Sequence, residues 1–392
     1  MLLWINFQDG ASDPVKLNTK GKYVFGIILL SAVTVMQVYV FWRISSAPFV
    51  KNHIPGKFLI STGLILWTCF FLTRIFDNNR MGSFSNILEF ISMTWMAILF
   101  LTFTPVLALD LVTGFGYFLP RYAPTARGLA IIIGLLLSAI ALIQGLRPPV
   151  VLNHEIYLSG LRDELDGITI VAISDMHLGS LIGAEWLEAR IAQVSEQKPD
   201  IIVLLGDISE GHGESTEKLL PILNRFSAPL GVWAVLGNHE FHSHRNMEKS
   251  LIEKTNFHLL RNSWHEIQRG LVLAGVDDLT SSRRSGRDDD LILESLKNRP
   301  QGATILISHN PLQIEKAADA GVDLMLSGHT HGGQIWPFNY VVKSRYPFLE
   351  GLHKIKNMYL IISRGAGTWG PRMRLWCPGD ILRITLRPTK GR

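Results

Sequence analysis

Four apolar runs without an ionised side chain dominate the first 150 residues: Tyr23–Trp42, Phe58–Thr73, Phe90–Leu109 and Gly128–Leu146. About 20 apolar residues in a helix cross a bilayer core, so each run is long enough, the second once Arg74 snorkels and Ile75 and Phe76 extend it. Backbone groups in lipid have no water to bond, so the runs are expected to be helices at about 23–42, 58–76, 90–109 and 128–146. Residues 1–147 are therefore read as a membrane anchor. A cleaved signal peptide is not expected, because the first run is too long for an apolar leader core and lacks a small-x-small cleavage site. Glu89 is read as the acidic residue that borders a span, and no charge pair of the kind that marks a transport path is expected between the spans. Lys and Arg at the two sets of span ends are nearly balanced, which leaves the side of the membrane open.

Charge divides along the same line. The chain carries a formal net charge of +5, but residues 1–150 hold +6 and residues 151–392 hold −1. The second part has no basic stripe, so nucleic acid is not an expected partner. Its two cysteines, Cys69 and Cys377, support neither a disulfide scaffold nor a thiolate metal site.

Beyond Arg147-Pro148-Pro149 no run is long enough to span. Short β-branched runs appear instead at 168–173, 201–205, 232–236, 271–276, 304–307, 323–326, 358–362 and 381–386. Helix-like stretches lie between several of them, at 184–196, 214–226, 246–254, 288–297 and 312–318. Strands alternating with helices predict an α/β domain with buried sheets, taken here as residues 150–388.

Five polar motifs open where five of these strands end. They are Ser174-Asp175-Met176-His177, Gly206-Asp207, Gly237-Asn238-His239-Glu240, Ser308-His309-Asn310 and Gly328-His329-Thr330-His331-Gly332-Gly333-Gln334. In α/β sheets the loops at the carboxyl ends of strands share an edge and build the site. Asp175 with His177, and His329 with His331, are two apart, a spacing that puts both side chains on one side of an extended segment. Glycines beside Asp207, Asn238 and His329 remove bulk where turns must be tight. Carboxylate, amide oxygen and imidazole donors without thiolate suit Mn, Fe, Zn, Co or Ni better than Mg or Ca. Seven candidate ligands are too many for one ion and suit two, held ~3.5–4 Å apart by a shared carboxylate.

Taken together and in this order, the motifs resemble the calcineurin-like metallophosphoesterases. The segment Gly-His-Thr-His-Gly-Gly-Gln is similar to a membrane-associated branch, and the layout resembles transmembrane proteins with a metallophosphoesterase domain. The resemblance implies an αββα sandwich of two mixed β-sheets with helices outside. It implies Asp175, His177 and His331 at one ion, Asn238, His309 and His329 at the other, and Asp207 between them. Asn238 would also bind phosphoryl oxygens, and His239 would be the catalytic histidine at the leaving oxygen. The implied activity is hydrolysis of a phosphomonoester or phosphodiester by a hydroxide that bridges the metals. A lipid-linked nucleotide pyrophosphatase acting on acylated UDP-sugars is an alternative by analogy. A non-catalytic membrane sensor is a second class, which His239 argues against. Glu210 stands where relatives often carry Asp.

The remaining polar residues read as scaffold. His212, His242, His244, His258 and His265 match no motif and are expected on the surface. Asp277-Asp278 is expected to shape a loop, and Arg283, Arg284 and Arg287 to sit in a polar, solvated one. Residues 335–376 interleave Trp336, Tyr340, Trp369 and Trp376 with Lys343, Arg345, Arg372 and Arg374. That mixture suits either a membrane interface or ordinary core and loop.

Overall fold

The computed structural model describes residues 14–75, 83–210, 216–242, 252–284 and 290–389. The chain forms two compact units, Met1–Arg147 with Gly370–Trp376, and Pro148–Trp369 with Cys377–Arg392.

The first unit is helical: α1 (Pro14–Ser46), α2 (Pro48–His53), α3 (Gly56–Ile75), α4 (Ser83–Val112) and α5 (Ala123–Gly145). Among the described residues four segments are long and apolar enough to cross a membrane: Gly26–Ser46, Gly56–Thr73, Phe84–Val112 and Ala123–Gly145. Val35, Val38, Leu64 and Leu136 point outward, and polar side chains face inward. Trp67 Nε1 donates to Thr34 Oγ1 (2.8 Å) and Trp95 Nε1 to Gln37 Oε1 (3.1 Å), the kind of hydrogen bond that joins helices in lipid. A Cβ on Gly134 of α5 would lie 2.6 Å from Thr102 Cα of α4, so only glycine lets these backbones approach.

Here the expectation of no charge pair between the helices fails. Asp110 of α4 is fully buried between Arg43 of α1 (Nε to Oδ2, 2.6 Å) and Arg127 of α5 (Nε to Oδ1, 2.8 Å), and Tyr39 Oη donates to the same carboxylate at 2.5 Å. The reason is positional. Asp110, Arg43 and Arg127 each lie one residue outside an apolar run, and the helices continue past the runs, so three run ends converge on one point. Asp110 therefore borders a span as closely as Glu89 does.

The segment Gly370–Trp376 packs on the last turn of α5. The Arg374 N–H donates to Ala141 O (2.9 Å) and the Trp376 N–H to Gln144 Oε1 (2.8 Å). Gly145 is needed there, because a Cβ would lie 2.5 Å from Arg372 O.

Among its described residues the second unit holds twelve strands: β1 (Val150–Leu158), β2 (Thr169–Ile173), β3 (Ile201–Leu204), β4 (Val232–Ala234), β5 (His258–Leu259), β6 (Ser263–Gln268), β7 (Leu271–Val276), β8 (Ala303–Ser308), β9 (Leu324–Ser327), β10 (Gly351–Ile355), β11 (Met358–Ile362) and β12 (Asp380–Pro388). They make two six-stranded mixed sheets, ordered β1-β12-β2-β3-β4-β5 and β10-β11-β9-β8-β7-β6. In the first, β12 runs antiparallel to β2 and the other pairs are parallel. In the second, β6 and β10 are antiparallel to their neighbours.

Strand alternation explains the layering. Ile170, Ala172, Ile201 and Val203 join Leu271, Leu273, Ile305, Ile307, Leu324 and Leu326 in a core between the sheets. Their neighbours Val171, Ile173, Ile202 and Leu204 face outward onto Leu187, Ile191 and Val194 of α6 (Ala184–Ser195) and Leu219 and Leu223 of α7 (Thr216–Leu223). Ala274, Val276, Leu306 and Met325 of the second sheet likewise meet Leu291 and Ile292 of the helix Leu291–Ser295 and Ile314 and Ala317 of the helix Ile314–Asp319. Both faces of the central strands are apolar, as strands buried on both sides require. The result is an αββα sandwich.

The eight expected strands are all present; 271–276 and 358–362 keep their expected bounds, and the ends of the others shift by at most two residues. β1, β5, β6 and β10 were not read from the sequence. Part of the polar segment expected at 281–287 is helical, since Leu279–Arg284 is a helix; residues 285–289, with Arg287, and the side chains of Arg283 and Arg284 lie outside the described residues. So do His212, His244 and most of the helix expected at 246–254.

Candidate metal centre

β2, β3 and β4 of one sheet and β8 and β9 of the other deliver the five motifs to neighbouring loops. Three groups of donors result, each with ligand atoms within 4.8 Å of one another: Asp175, His177 and His331; Asp207, His309 and His329; and His177, Glu210 and His239. In the first group His177 Nε2 lies 3.1 Å from His331 Nε2, and His331 Nε2 lies 3.5 Å from Asp175 Oδ1. In the second, His309 Nε2 lies 3.1 Å from Asp207 Oδ2, 3.2 Å from Asn238 Oδ1 and 3.2 Å from His329 Nδ1. Asp207 Oδ2 is also 3.9 Å from His177 Nε2, so this carboxylate stands between the two groups. Structure thus gathers all seven candidate ligands, Asp175, His177, Asp207, Asn238, His309, His329 and His331, into one cluster. His239 stands beside it, its ring edge-on to His177 at 4.8 Å between centroids.

The backbone reaches this arrangement differently from the extended pairs read in the sequence. Asp175, His177, Asp207, His329 and His331 all have positive φ, between 49° and 70°. Left-handed backbone is costly for such residues and persists where the surroundings enforce it. Neighbouring glycines provide the room. A Cβ at Gly237 would lie 2.1 Å from Asp207 Oδ1, and one at Gly328 would lie 1.9 Å from Ser174 Oγ and 2.4 Å from Asp175 Oδ2.

Hydrogen bonds fix which nitrogen each ring offers. His309 Nδ1 donates to Leu205 O at 2.8 Å; a carbonyl only accepts, so the lone pair of the neutral ring sits on Nε2, facing three other acceptors or donors of the cluster. His177 Nδ1 lies 2.8 Å from Glu210 Oε1, which leaves its Nε2 toward His331 and Asp175. Lone pairs converging at such distances need a cation between them, and a partner on the far nitrogen is how metal-binding histidines are held. The donor set therefore fits divalent ions.

Charge in the site shows the same demand. Burial acts against an imidazolium at His177, yet Glu210, Asp207 and Asp175 raise it to about 9. Burial likewise opposes charge on His309, but Asp207 raises it well above the usual range. Asp207 falls well below the usual carboxylate range despite burial, because His309, His239 and His177 surround it. Burial and then His309 push His329 down to about 3. Protons here take the places that metal ions claim when bound.

Two residues, Glu240 and Glu210, act where the sequence showed no role. Glu240 is buried and accepts four backbone N–H groups, from Asp207 (3.0 Å), Ile208 (2.7 Å), Ser209 (3.2 Å) and Gly237 (2.7 Å). It ties the Asp207 turn to the Asn238 turn. Glu210 orients His177. Asp278 takes an Asn310 amide hydrogen at 2.5 Å while Tyr346 Oη donates to Asn310 Oδ1 at 3.1 Å, and the Tyr346 ring lies edge-on to His329. Asp277 pairs with Arg261 through two hydrogen bonds. The expectation that Asp277-Asp278 shapes a loop agrees with these contacts. His258 stacks on Trp233, and His265 lies tilted against the same ring.

A fold of two mixed sheets between helices, with clustered carboxylates and imidazoles at its strand ends, defines a metal-dependent phosphoesterase. The chain belongs to the calcineurin-like metallophosphoesterases: the calcineurin-like phosphoesterase family profile matches residues 168–333. An uncharacterized metallophosphoesterase of Aquifex aeolicus is 37% identical over 56% of this chain and 85% of its own length. One from Campylobacter jejuni is 32% identical over 66% of this chain and 69% of its own. The transmembrane protein with metallophosphoesterase domain of Bos taurus is 29% identical over 66% of this chain and 62% of its own.

Proposed function

We propose that this chain is a multi-pass membrane protein of the cell membrane. Residues 1–147 anchor it, and residues 150–388 hydrolyse a phosphate ester, monoester or diester, with two divalent ions drawn from Mn, Fe, Zn, Co and Ni. The observation that carries this reading is the cluster of buried imidazole nitrogens and carboxylate oxygens whose ligand atoms converge, group by group, within 4.8 Å of one another. When bound, the ions supply an activated water and offset charge on the phosphoryl oxygens. Asp175, His177 and His331 hold one ion, His309, His329 and Asn238 the other, and Asp207 lies between.

His239 has a different part. Its backbone N–H donates to Asp207 Oδ1 at 2.9 Å, and its ring stands edge-on to His177. From there the imidazole gives a proton to the departing oxygen. Asn238 offers its amide to the phosphoryl group as charge grows.

Metal analysis of the purified full chain, followed by assay on bis-p-nitrophenyl phosphate with added Mn, tests the reading. Two equivalents of metal and hydrolysis that His239→Ala strongly reduces are expected. Hydrolysis that survives His239→Ala, or a protein that binds no metal, would refute it.

A further inference from the structure

We propose that Trp369 is a specificity-determining residue that carries an apolar leaving group, so that the substrate is an amphiphilic phosphoester. The inference rests on the role given to His239 above. The Trp369 indole is 38% exposed and stands edge-on to His239, with 6.4 Å between ring centroids. The ring is thus close enough to touch a group that accepts a proton from His239.

The mounting of Trp369 marks it as more than a surface aromatic. Gln334, the last residue of the Gly-His-Thr-His-Gly-Gly-Gln motif, holds its backbone from both sides. The Trp369 N–H donates to Gln334 Oε1 (2.9 Å), and Gln334 Nε2 donates to Trp369 O (3.1 Å). Just upstream, the Ala366 N–H donates to Ser174 O (2.8 Å) and the Gly367 N–H to Asp175 O (3.0 Å). A Cβ on Gly367 would lie 2.3 Å from Met176 O. The segment is thus pinned to the first ligand loop before it reaches the indole. An exposed ring held by rigid backbone is a preorganised contact surface.

The chain then indicates what kind of ligand the ring meets. Gly370, at φ +70°, starts the seven residues that belong to the helical unit, with Arg374 and Trp376 bonded to the last turn of α5. That turn ends a segment apolar enough to span a bilayer. Trp376 and Trp336 are exposed as well. An indole joins a broad apolar face to a polar N–H, and such a ring favours molecules with a hydrocarbon part and a charged head.

Binding of methylphosphonate and hexylphosphonate to the full metal-loaded chain in nanodiscs, by calorimetry, tests this. Neither probe is hydrolysed. Hexylphosphonate should bind at least about tenfold tighter than methylphosphonate, since each buried methylene adds favourable transfer energy. That ratio should fall below about threefold in Trp369→Ala and stay high in Trp369→Phe, with metal content equal in all three. Gln334→Ala should lower the ratio at unchanged metal content. An equal ratio in the parent and Trp369→Ala, or a ratio near one in the parent, would overturn the inference and leave the metal centre standing. Failure of both phosphonates to bind the metal-loaded parent would overturn the metal-centre reading and this inference with it.

Discussion

Each unit buries a knot of charge, and the two are balanced in opposite ways. In the helical unit Asp110 meets Arg43 and Arg127, and Tyr39 satisfies the same carboxylate. Opposite charges arrive on side chains of three helices, so the knot is complete as the chain is made. In the second unit Asp175 and Asp207 are equally buried, but among the described residues their ion-pair partners are imidazoles. Imidazoles balance carboxylates only when protonated, and neutral ones add further lone pairs. One knot is closed by the chain itself and the other by ions from outside. Closed knots hold structure, whereas one that needs imported charge can place it against a substrate.

Removing the shared carboxylate tests the open knot most severely. Asp207→Ala should release metal and lower kcat/KM by about three orders of magnitude or more, since both ions lose a donor. Metal retained at two equivalents in that variant would break the comparison. His239→Ala should lose two to three orders in kcat, about the contribution of a placed proton donor, with metal content unchanged. Parallel metal analysis and kinetics separate the two effects.

The closed knot has its own test. Asp110→Ala leaves two guanidinium groups buried without their carboxylate, and stranding a buried charge costs about 3–5 kcal/mol. Thermal unfolding in detergent should move sharply down, while Asp110→Leu combined with Arg43→Met and Arg127→Met should recover most of the loss. A triple variant as unstable as the single one would show that the charges do more than cancel.

The smallest effect is a proton count. His177 is raised to about 9 by Glu210 and its neighbours against the cost of burial, so the metal-free ring carries a proton at neutral pH. Such a group stabilises the metal-free fold fully below its unfolded value near 6.5, and that contribution fades as pH rises through about 9. Metal must displace the proton, so affinity should climb with pH over the same window. Calorimetric titration in buffers of different ionisation enthalpy should show proton release at pH 7 that shrinks toward pH 9.5.

Much of this was legible in the sequence, for local reasons. Uncharged runs and clusters such as Gly237-Asn238-His239 announce themselves in a few residues. β1 did not, because Val150–Leu158 alternates exposed and buried positions and carries Asn153, His154 and Glu155. The Asp110 knot was missed because its members sit just beyond three separate runs. Glu240, Glu210 and Trp369 were opaque for another reason: their partners come from distant segments, and no spacing rule links position 240 to 207 or 369 to 334.

Glu240 has one more consequence. By taking the amide hydrogens of Asp207, Ile208, Ser209 and Gly237, it fills with its own carboxylate a corner of main chain that could otherwise cradle an oxyanion. That corner is occupied in bracing the Asp207 and Asn238 turns, so a protein stripped by chelator should bind phosphate only weakly.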